Sequence, residues 1–198
     1  MSIDPLAEAA TATVQRALLA ARLLLYAWLG YVLFQAIGAF SAYIPGKPWP
    51  FLLSILRTWT FLPIHEAGHL FLRPFGTTIM YLGGSLFQVL LPALWCALAL
   101  KQRSTVWPFP LFWTGENLMD VSLYVRDAPV RALPLLGGHR SGHDWFNLLG
   151  RWDLLGSAET IADILFLGGT LIAMAALMAG IFVSAHSYLH PPAERIAD

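Results

Sequence analysis

The sequence has few charged residues, and this shortage is its most informative feature. Only 12% of its 198 residues are charged, whereas 57% are hydrophobic. Soluble domains carry about 25% charged residues, so the composition excludes an ordinary soluble domain and a disordered chain. The 12 basic and 12 acidic groups balance to a formal net charge of zero. A chain without a basic excess has no surface suited to nucleic acid, and we expect no nucleic-acid partner.

Cysteine is almost absent as well. The single cysteine, Cys96, cannot form an intrachain disulfide, which excludes a disulfide-stabilised scaffold. It lies in an apolar run, where a small buried hydrophobic residue is the expected role. The first 15 residues lack the basic segment of a signal peptide and contain Asp4 and Glu8, so we expect no cleaved signal. Together these absences leave an integral membrane protein.

Five stretches approach the 20 or so apolar residues that a helix needs to span a bilayer. They are Leu23–Ala42, Phe51–Leu72, Ile79–Leu100, Val106–Val125 and Ile164–Ala185. We therefore predict an all-α polytopic membrane bundle of about five transmembrane segments, surrounded by membrane lipids and forming one membrane-embedded domain over residues 1–198. Five crossings would place the two termini on opposite sides of the membrane.

A polar segment separates the last two stretches. Residues 126–157 contain four arginines, three aspartates and two histidines. We expect this segment to lie at the membrane interface or to re-enter the bundle, with its arginines kept at the interface. With five crossings, a cytoplasmic N-terminus places Arg16, Arg73 and these four arginines inside, and Lys47, Lys101 and Arg103 outside. The positive-inside rule favours that orientation.

The second stretch contains a metal-binding pattern. His65 and His69 are four residues apart, so on a helix they lie about 40° apart on one face. Two imidazoles at this spacing can bind one Zn²⁺, and Glu66 between them is placed to act as general base on a metal-bound water. Ionisable groups inside an apolar helix are costly and indicate a function. The alternative is a polar cluster that joins helices through hydrogen bonds.

These residues carry a resemblance to a known family. The His65–His69 pattern resembles the zinc helix of intramembrane metalloproteases of the site-2 protease type. The chain is also similar to small bacterial membrane proteins of that clan, in which a Gly-Gly-Ser segment and a later His-Asp-Trp follow; here these are Gly83–Ser85 and His143–Trp145. The resemblance implies a zinc peptidase of the bacterial inner membrane. The glycine pair could break the third helix to hold substrate, or allow close helix packing.

The third metal ligand departs from the family pattern. Site-2 proteases usually take it from an Asp-Gly motif in a proline-containing stretch. The nearest match is Leu133–His139, which has Leu136 where the aspartate would be. The remaining candidates are Asp144, His143, His139, Asp127 and Asp120. We favour Asp144, because it opens an apolar run and belongs to the His-Asp-Trp resemblance; its alternative role is a helix N-cap.

Two further residues are candidate substrate contacts. His143 could orient the site or hydrogen-bond a substrate carbonyl, or be an ordinary interfacial histidine. Asn117 lies beside Glu116 and Asp120, which share a helix face. This group could line the active-site cavity or pair with the arginines that follow it.

The predicted function is therefore a zinc metallopeptidase that cleaves membrane-protein substrates. A catalytically inactive metallopeptidase-like scaffold, or a subunit for partner membrane proteins, is one alternative, because of Leu136. The other is a membrane di-iron oxidase, since three His-x-x-x-His pairs resemble the histidine boxes of desaturases. Those enzymes typically use more histidines, some of them adjacent. The three pairs are His65/His69, His139/His143 and His186/His190.

Overall fold

The structure is a computed structural model, and it describes residues 5–136 and 140–190. Every regular element in these two ranges is helical, as predicted. A π-helical turn, Arg57–Phe61, joins the second and third helices without a break. The seven α-helices are α1 (Pro5–Ser41), α2 (Phe51–Leu56), α3 (Leu62–Leu72), α4 (Thr77–Lys101), α5 (Pro108–Asp127), α6 (Asp144–Arg151) and α7 (Ala158–Leu189).

Three helical stretches in the described ranges are long and apolar enough to cross a membrane. They are Ala10–Ser41, Thr77–Lys101 and Leu155–Leu189. They correspond to the first, third and fifth predicted segments, and they support the prediction of a polytopic membrane protein. The second and fourth predicted segments form α2–α3 and α5, which do not meet the same criterion.

The helix α7 shows why such helices suit a lipid environment. One face carries small residues that are buried against the rest of the bundle: Gly169, Ala173, Ala176 and Gly180. Small residues at this spacing let helices approach closely, which drives packing where no water is present. The other face exposes large apolar side chains that suit lipid: Leu167, Leu171, Met178 and Phe182.

The helices α1 and α7 run antiparallel. The ring of Tyr26 lies where a Cβ on Gly180 would be, so these two positions are in direct contact. Further along, Phe40 stacks on Phe166 with their ring centroids 3.7 Å apart. The start of α1 and the end of α7 therefore lie at the same end of the bundle. Five crossings would have put them at opposite ends, so the structure differs here from the sequence prediction.

The connections between helices define two ends of the bundle. We call the end that holds the start of α1 the far end, and the end that holds the end of α1 the site end, because the candidate site described below lies there. At the far end, which holds the start of α1, Arg22 donates a hydrogen bond to Thr105 just after α4 (3.3 Å). At the site end, Tyr43 just after α1 donates to Asp127 at the end of α5 (2.6 Å). The connection from α5 to α7, which includes α6, consequently lies at the site end. Arg16, in the first half of α1, lies towards the far end. The orientation of the N-terminus was inferred by placing Arg16 on the same side of the membrane as the arginines that follow α5, and the structure does not support that shared side.

The helix α5 is enclosed by the other helices. Fifteen of its twenty residues are buried, including the polar Glu116, Asn117 and Asp120. It packs closely on α7 because a Cβ on Gly115 would lie only 2.6 Å from the carbonyl oxygen of Gly169. Protein rather than lipid surrounds α5, and this explains how it tolerates polar residues that a lipid-facing helix could not.

Candidate metal centre

Glycines bring α3 and α4 close enough to form the site. A Cβ on Gly83 would lie 2.8 Å from the carbonyl oxygen of Gly68, and one on Gly84 would lie 2.5 Å from Nε2 of His65. The helix α4 runs without interruption through both glycines. Of the two roles considered for this pair, close helix packing is therefore the one that the structure shows.

Three side chains converge on one point at the site end. Nε2 of His65 lies 3.0 Å from Oδ2 of Asp144, and Nε2 of His69 lies 3.1 Å from the same oxygen. His65 and Asp144 are buried, and His69 is partly buried. In the part of the chain that the structure describes, this is the only group of three or more histidine, cysteine or acidic side chains arranged to hold a metal ion.

The outer nitrogens of both histidines are already engaged. His69 donates from Nδ1 to the carbonyl oxygen of Met80 at 2.7 Å, since a carbonyl can only accept. His65 donates from Nδ1 to Oε1 of Gln88 at 3.0 Å, and the Gln88 amide in turn donates to Asp120 at 2.7 Å. These bonds select the tautomer of each neutral histidine that has its lone pair on Nε2. Histidine ligands of metals in proteins are commonly oriented in this way.

The two lone pairs point at a carboxylate, which also has only lone pairs to offer. A cation between them, either a proton or a metal ion, is needed to make such contacts favourable. Burial opposes ionisation of Asp144, but with a proton on Nε2 the hydrogen bonds from His65 and His69 outweigh it and hold the pKa of Asp144 below its usual range. Tyr124 further fixes this carboxylate, because its hydroxyl donates to Oδ2 at 3.2 Å and accepts from the Asp144 backbone N–H.

The residue before Asp144 holds the start of α6. Nδ1 of His143 accepts from the Phe146 backbone N–H at 3.2 Å, so His143, rather than Asp144, is the N-cap. Nε2 of His143 lies 3.2 Å from Oδ2 of Asp127, and both side chains are fully buried. The carboxylate of Asp127 also accepts from two backbone N–H groups of the loop that follows α5, at 2.9 and 3.0 Å. This arrangement fixes the position at which Asp144 enters the site.

A cavity of about 450 Å³, the metal cavity, opens onto the three convergent side chains. Glu66, the predicted general base, lines it and is exposed. Leu136, the residue at the family's aspartate position, lines it too. The structure thus brings the predicted base and all three favoured ligands to one cavity.

The two predicted substrate contacts are not among the residues that line this cavity. His143 does not line it; it is fully buried, and both of its ring nitrogens are engaged in fixing the start of α6. Asn117 does not line it either; it is fully buried and donates to the carbonyl of Trp113 in its own helix. Neither side chain is therefore placed to contact a substrate in the cavity. The contacts of His143 correspond to its other predicted role, that of orienting the site, because they fix the start of α6 and with it Asp144.

The other candidate ligands occupy separate positions. Asp127 binds His143, and Asp120 reaches His65 only through the amide of Gln88. The nearest cation to Asp120 is Arg57, whose Nε lies 3.8 Å away, whereas the sequence had suggested the arginines after α5. His139 lies outside the described residues.

Sequence reasoning missed the residues that hold the ligands. Gln88, Tyr124 and the Met80 carbonyl contact the site without belonging to any motif. For Gln88 a signal existed, since it is the one strongly polar side chain in an otherwise apolar stretch. Tyr124 had the appearance of an interfacial aromatic residue, and a backbone carbonyl leaves no trace in sequence.

Comparisons of this chain with protein-family models, with curated proteins and with solved structures gave no match. The resemblance to site-2 proteases therefore rests on three short motifs, His65–His69, Gly83–Ser85 and His143–Trp145. The activity that this resemblance implies is accordingly a proposal.

Proposed function

We propose that this chain is an intramembrane zinc metallopeptidase that cleaves peptide bonds of membrane-associated proteins. The observation that carries the proposal is the convergence of His65, His69 and Asp144 with both histidines in the metal-binding tautomer. Two nitrogens and one oxygen from the protein, with a fourth position open, form the donor set of catalytic zinc sites.

The charges of the site suit this chemistry. Two neutral imidazoles and one carboxylate leave a net charge of +1 on a divalent ion, which limits the charge held in a low-dielectric environment. A bound Zn²⁺ would lower the pKa of a water ligand to about 7 and polarise a carbonyl. Glu66 borders the same cavity and is not one of the three convergent groups, so its carboxylate is available to accept a proton.

The structure favours a competent site over an inactive scaffold. The scaffold alternative rested on Leu136, which replaces the aspartate of the family pattern. Because Asp144 brings a carboxylate to the two histidines from another element, the loss at position 136 does not leave the donor set incomplete. A di-iron site is less favoured, since His186 lies at the opposite end of α7 from the site.

The geometry also supports a specific membrane topology. The chain is at the site end at Tyr43 and again where α4 begins, so residues 44–76 make no net crossing. Leu53 nevertheless lies in the core with Leu33 of α1, so α2 and α3 enter the bundle and return. We therefore propose four crossings, by α1, α4, α5 and α7, in place of five. The resemblance suggests the bacterial inner membrane as the location.

Metal analysis of detergent-purified protein tests the metal. We expect about one zinc per wild-type chain and almost none in His65→Ala or Asp144→Ala. His143→Ala should lose less, because His143 acts only through the start of α6. A two-histidine, one-carboxylate set is also found with mononuclear iron, so one iron per chain would overturn the assignment to zinc, and metal-free wild type would overturn the site.

The substitution Glu66→Gln tests the reaction. We expect the variant to keep its zinc and to cleave a degenerate peptide library roughly 10²–10⁴ times more slowly, because the ligands remain and the base is lost. Mass spectrometry of the products gives the rate, and zinc content is measured on the same preparation. Equal cleavage by the variant and the wild type would contradict the peptidase mechanism.

Cysteine labelling tests the topology. In a Cys96→Ser background, single cysteines at Arg16 and His190 are expected to react with a membrane-impermeant maleimide from one side, and a cysteine at Arg140 from the other. This follows from the antiparallel packing of α1 on α7. Labelling of the first two positions from opposite sides would require an odd number of crossings.

A further inference from the structure

A second cavity adjoins the metal cavity. Its volume is about 580 Å³, and we call it the cationic cavity. The two cavities share part of their walls, formed by Arg57, Leu62 and the stretch Pro134, Leu135 and Leu136. A chain that occupied one of them could therefore continue into the other.

The two cavities differ in charge. The metal cavity is lined by three carboxylates, those of Glu66, Asp120 and Asp144. The described residues that line the cationic cavity include no carboxylate; its charged groups are Lys47 and Arg57. The remaining lining residues are apolar, apart from the hydroxyls of Ser54 and Thr58 and the indole of Trp49. An anionic group with apolar neighbours is the complement of such a cavity.

Arg57 stands where the two cavities meet. Its guanidinium lies over the ring of Trp49, 4.7 Å from the centroid, and its Nε lies 3.8 Å from Asp120. Stacking and this ion pair fix the plane of the guanidinium, while 18% of the side chain stays exposed. A planar fork held in this way binds a carboxylate in two parallel hydrogen bonds. Arg57 also begins the π-helical turn, a feature that often marks functional sites.

We propose that the cationic cavity binds an acidic side chain of the substrate, on the stretch of peptide next to the bond held at the metal. This inference rests on the proposed function and adds the substrate class: an extended peptide with aspartate or glutamate a few residues from the cleaved bond and apolar residues around it. The shared wall favours a peptide over a lipid headgroup, because a peptide chain can run from the Arg57 junction to His65 and His69.

The test uses binding, so that it does not depend on turnover. Two fluorescent decapeptides, identical except that one has Glu where the other has Gln, are titrated against the Glu66→Gln protein in neutral detergent. We expect the Glu peptide to bind about tenfold more tightly, with a preference that falls at high salt. The double substitution Lys47→Gln, Arg57→Gln should remove the preference, so that the Glu and Gln peptides bind with equal affinity. The matched control is Arg73→Gln, an exposed arginine at the same end that lines neither cavity.

Charge reversal guards against an indirect effect of Arg57 on the metal site. The single substitution Lys47→Glu changes a residue that contacts none of the proposed metal ligands. It should lower the preference for the Glu peptide and raise the affinity for a Lys-containing peptide. Equal binding of the Glu and Gln peptides to the parent protein would overturn the proposal. A second result would also overturn it. If binding of phosphatidylglycerol micelles depends on Lys47 and Arg57 while binding of the peptides does not, the cavity is a lipid site. A wild type that holds no zinc, or that cleaves no peptide, while the preference for the Glu peptide is intact would instead contradict the proposed function.

Discussion

The two sides of this bundle are held together by different interactions. On the polar side, which comprises α3, the first half of α4, α5 and α6, polar contacts link one helix to another. Asp120 accepts from Gln88, Gln88 accepts from His65, and Nε2 of His65 faces Asp144. On the apolar side, α1 and α7, small residues let helices approach closely. The hydroxyls of Thr170 and Ser184 in α7 donate to carbonyls of their own helix, so they form no link to another helix.

This contrast separates two properties of a helix that mean hydropathy does not distinguish: how much apolar surface the helix exposes, and whether the helix passes through the bundle. The apolar helices α1 and α7 are conspicuous in sequence because lipid contacts them, whereas α5 crosses the same bundle with Glu116 and Asp120 buried inside it. Mean hydropathy therefore reports how many large apolar side chains a helix exposes rather than whether it passes through the bundle. If the polar side owes its geometry to specific contacts and the apolar side to general packing, matched substitutions on the two sides should differ sharply in their effect on metal binding.

The largest difference is expected between two glycines. Gly84→Ala places a Cβ about 2.5 Å from Nε2 of His65, so the histidine must leave its position. Gly168→Ala in α7 places a Cβ 3.7 Å from Leu118, an ordinary contact. We expect zinc affinity to fall by more than about 100-fold in the first variant, beyond the usual effect of losing a group that supports a ligand, and to stay unchanged in the second. Competition with a chromophoric chelator measures both, and equal affinities would show that α3 can retreat from α4.

A smaller difference is expected between two glutamines. Gln88→Leu removes the acceptor that orients His65 and leaves Asp120 without its amide donor. Groups that orient a metal ligand typically contribute 10–100-fold to affinity, and we expect a loss in that range. Gln35→Leu in α1 removes only an exposed bond to Tyr31 and should have no effect on zinc. The same chelator competition decides, and a Gln88 variant with wild-type affinity would mean that His65 is held by α4 packing alone.

Sequence could predict those parts of the fold that lipid contacts. The apolar runs gave α1, α4 and α7, whereas the count of crossings depended on segments with mixed polarity. The stretch from Phe51 to Leu72 is long enough to cross, but Tyr43 and the start of α4 lie at one end of the bundle. Period and hydropathy describe a helix and its neighbours on average, and they carry no information on which end the chain returns to.

The site was predictable to the extent that its spacing is local. His65, Glu66 and His69 lie on one helix, where four residues make about one turn and fix a shared face. Asp144 is 79 residues from His65, and it was inferred from a resemblance rather than from periodicity. Gln88 and Tyr124 enter the site through helix packing, which no local pattern encodes. His143 stands out in the sequence, yet its role depends on Asp127, a partner that only the fold reveals.

The smallest of the three differences concerns two aspartates. Both carboxylate oxygens of Asp127 accept hydrogen bonds, among them those from Tyr43 and His143. Asp127→Asn replaces one of these oxygens with an amide nitrogen, which donates, so that two donors then face each other. A buried donor left unpaired costs about 1–3 kcal/mol of unfolding free energy. Because Asp127 acts on the metal only through His143 and α6, we expect a loss of zinc affinity of about tenfold. Asp163→Asn in α7 changes an aspartate that is 55% exposed and pairs with Arg126, so zinc affinity should not change.

Thermal unfolding and chelator competition, measured on each variant with and without added zinc, separate the effect on stability from the effect on zinc affinity. A destabilised Asp127 variant with wild-type zinc affinity would assign the Asp127–His143 pair to folding alone, and the polar side would then end at Asp144.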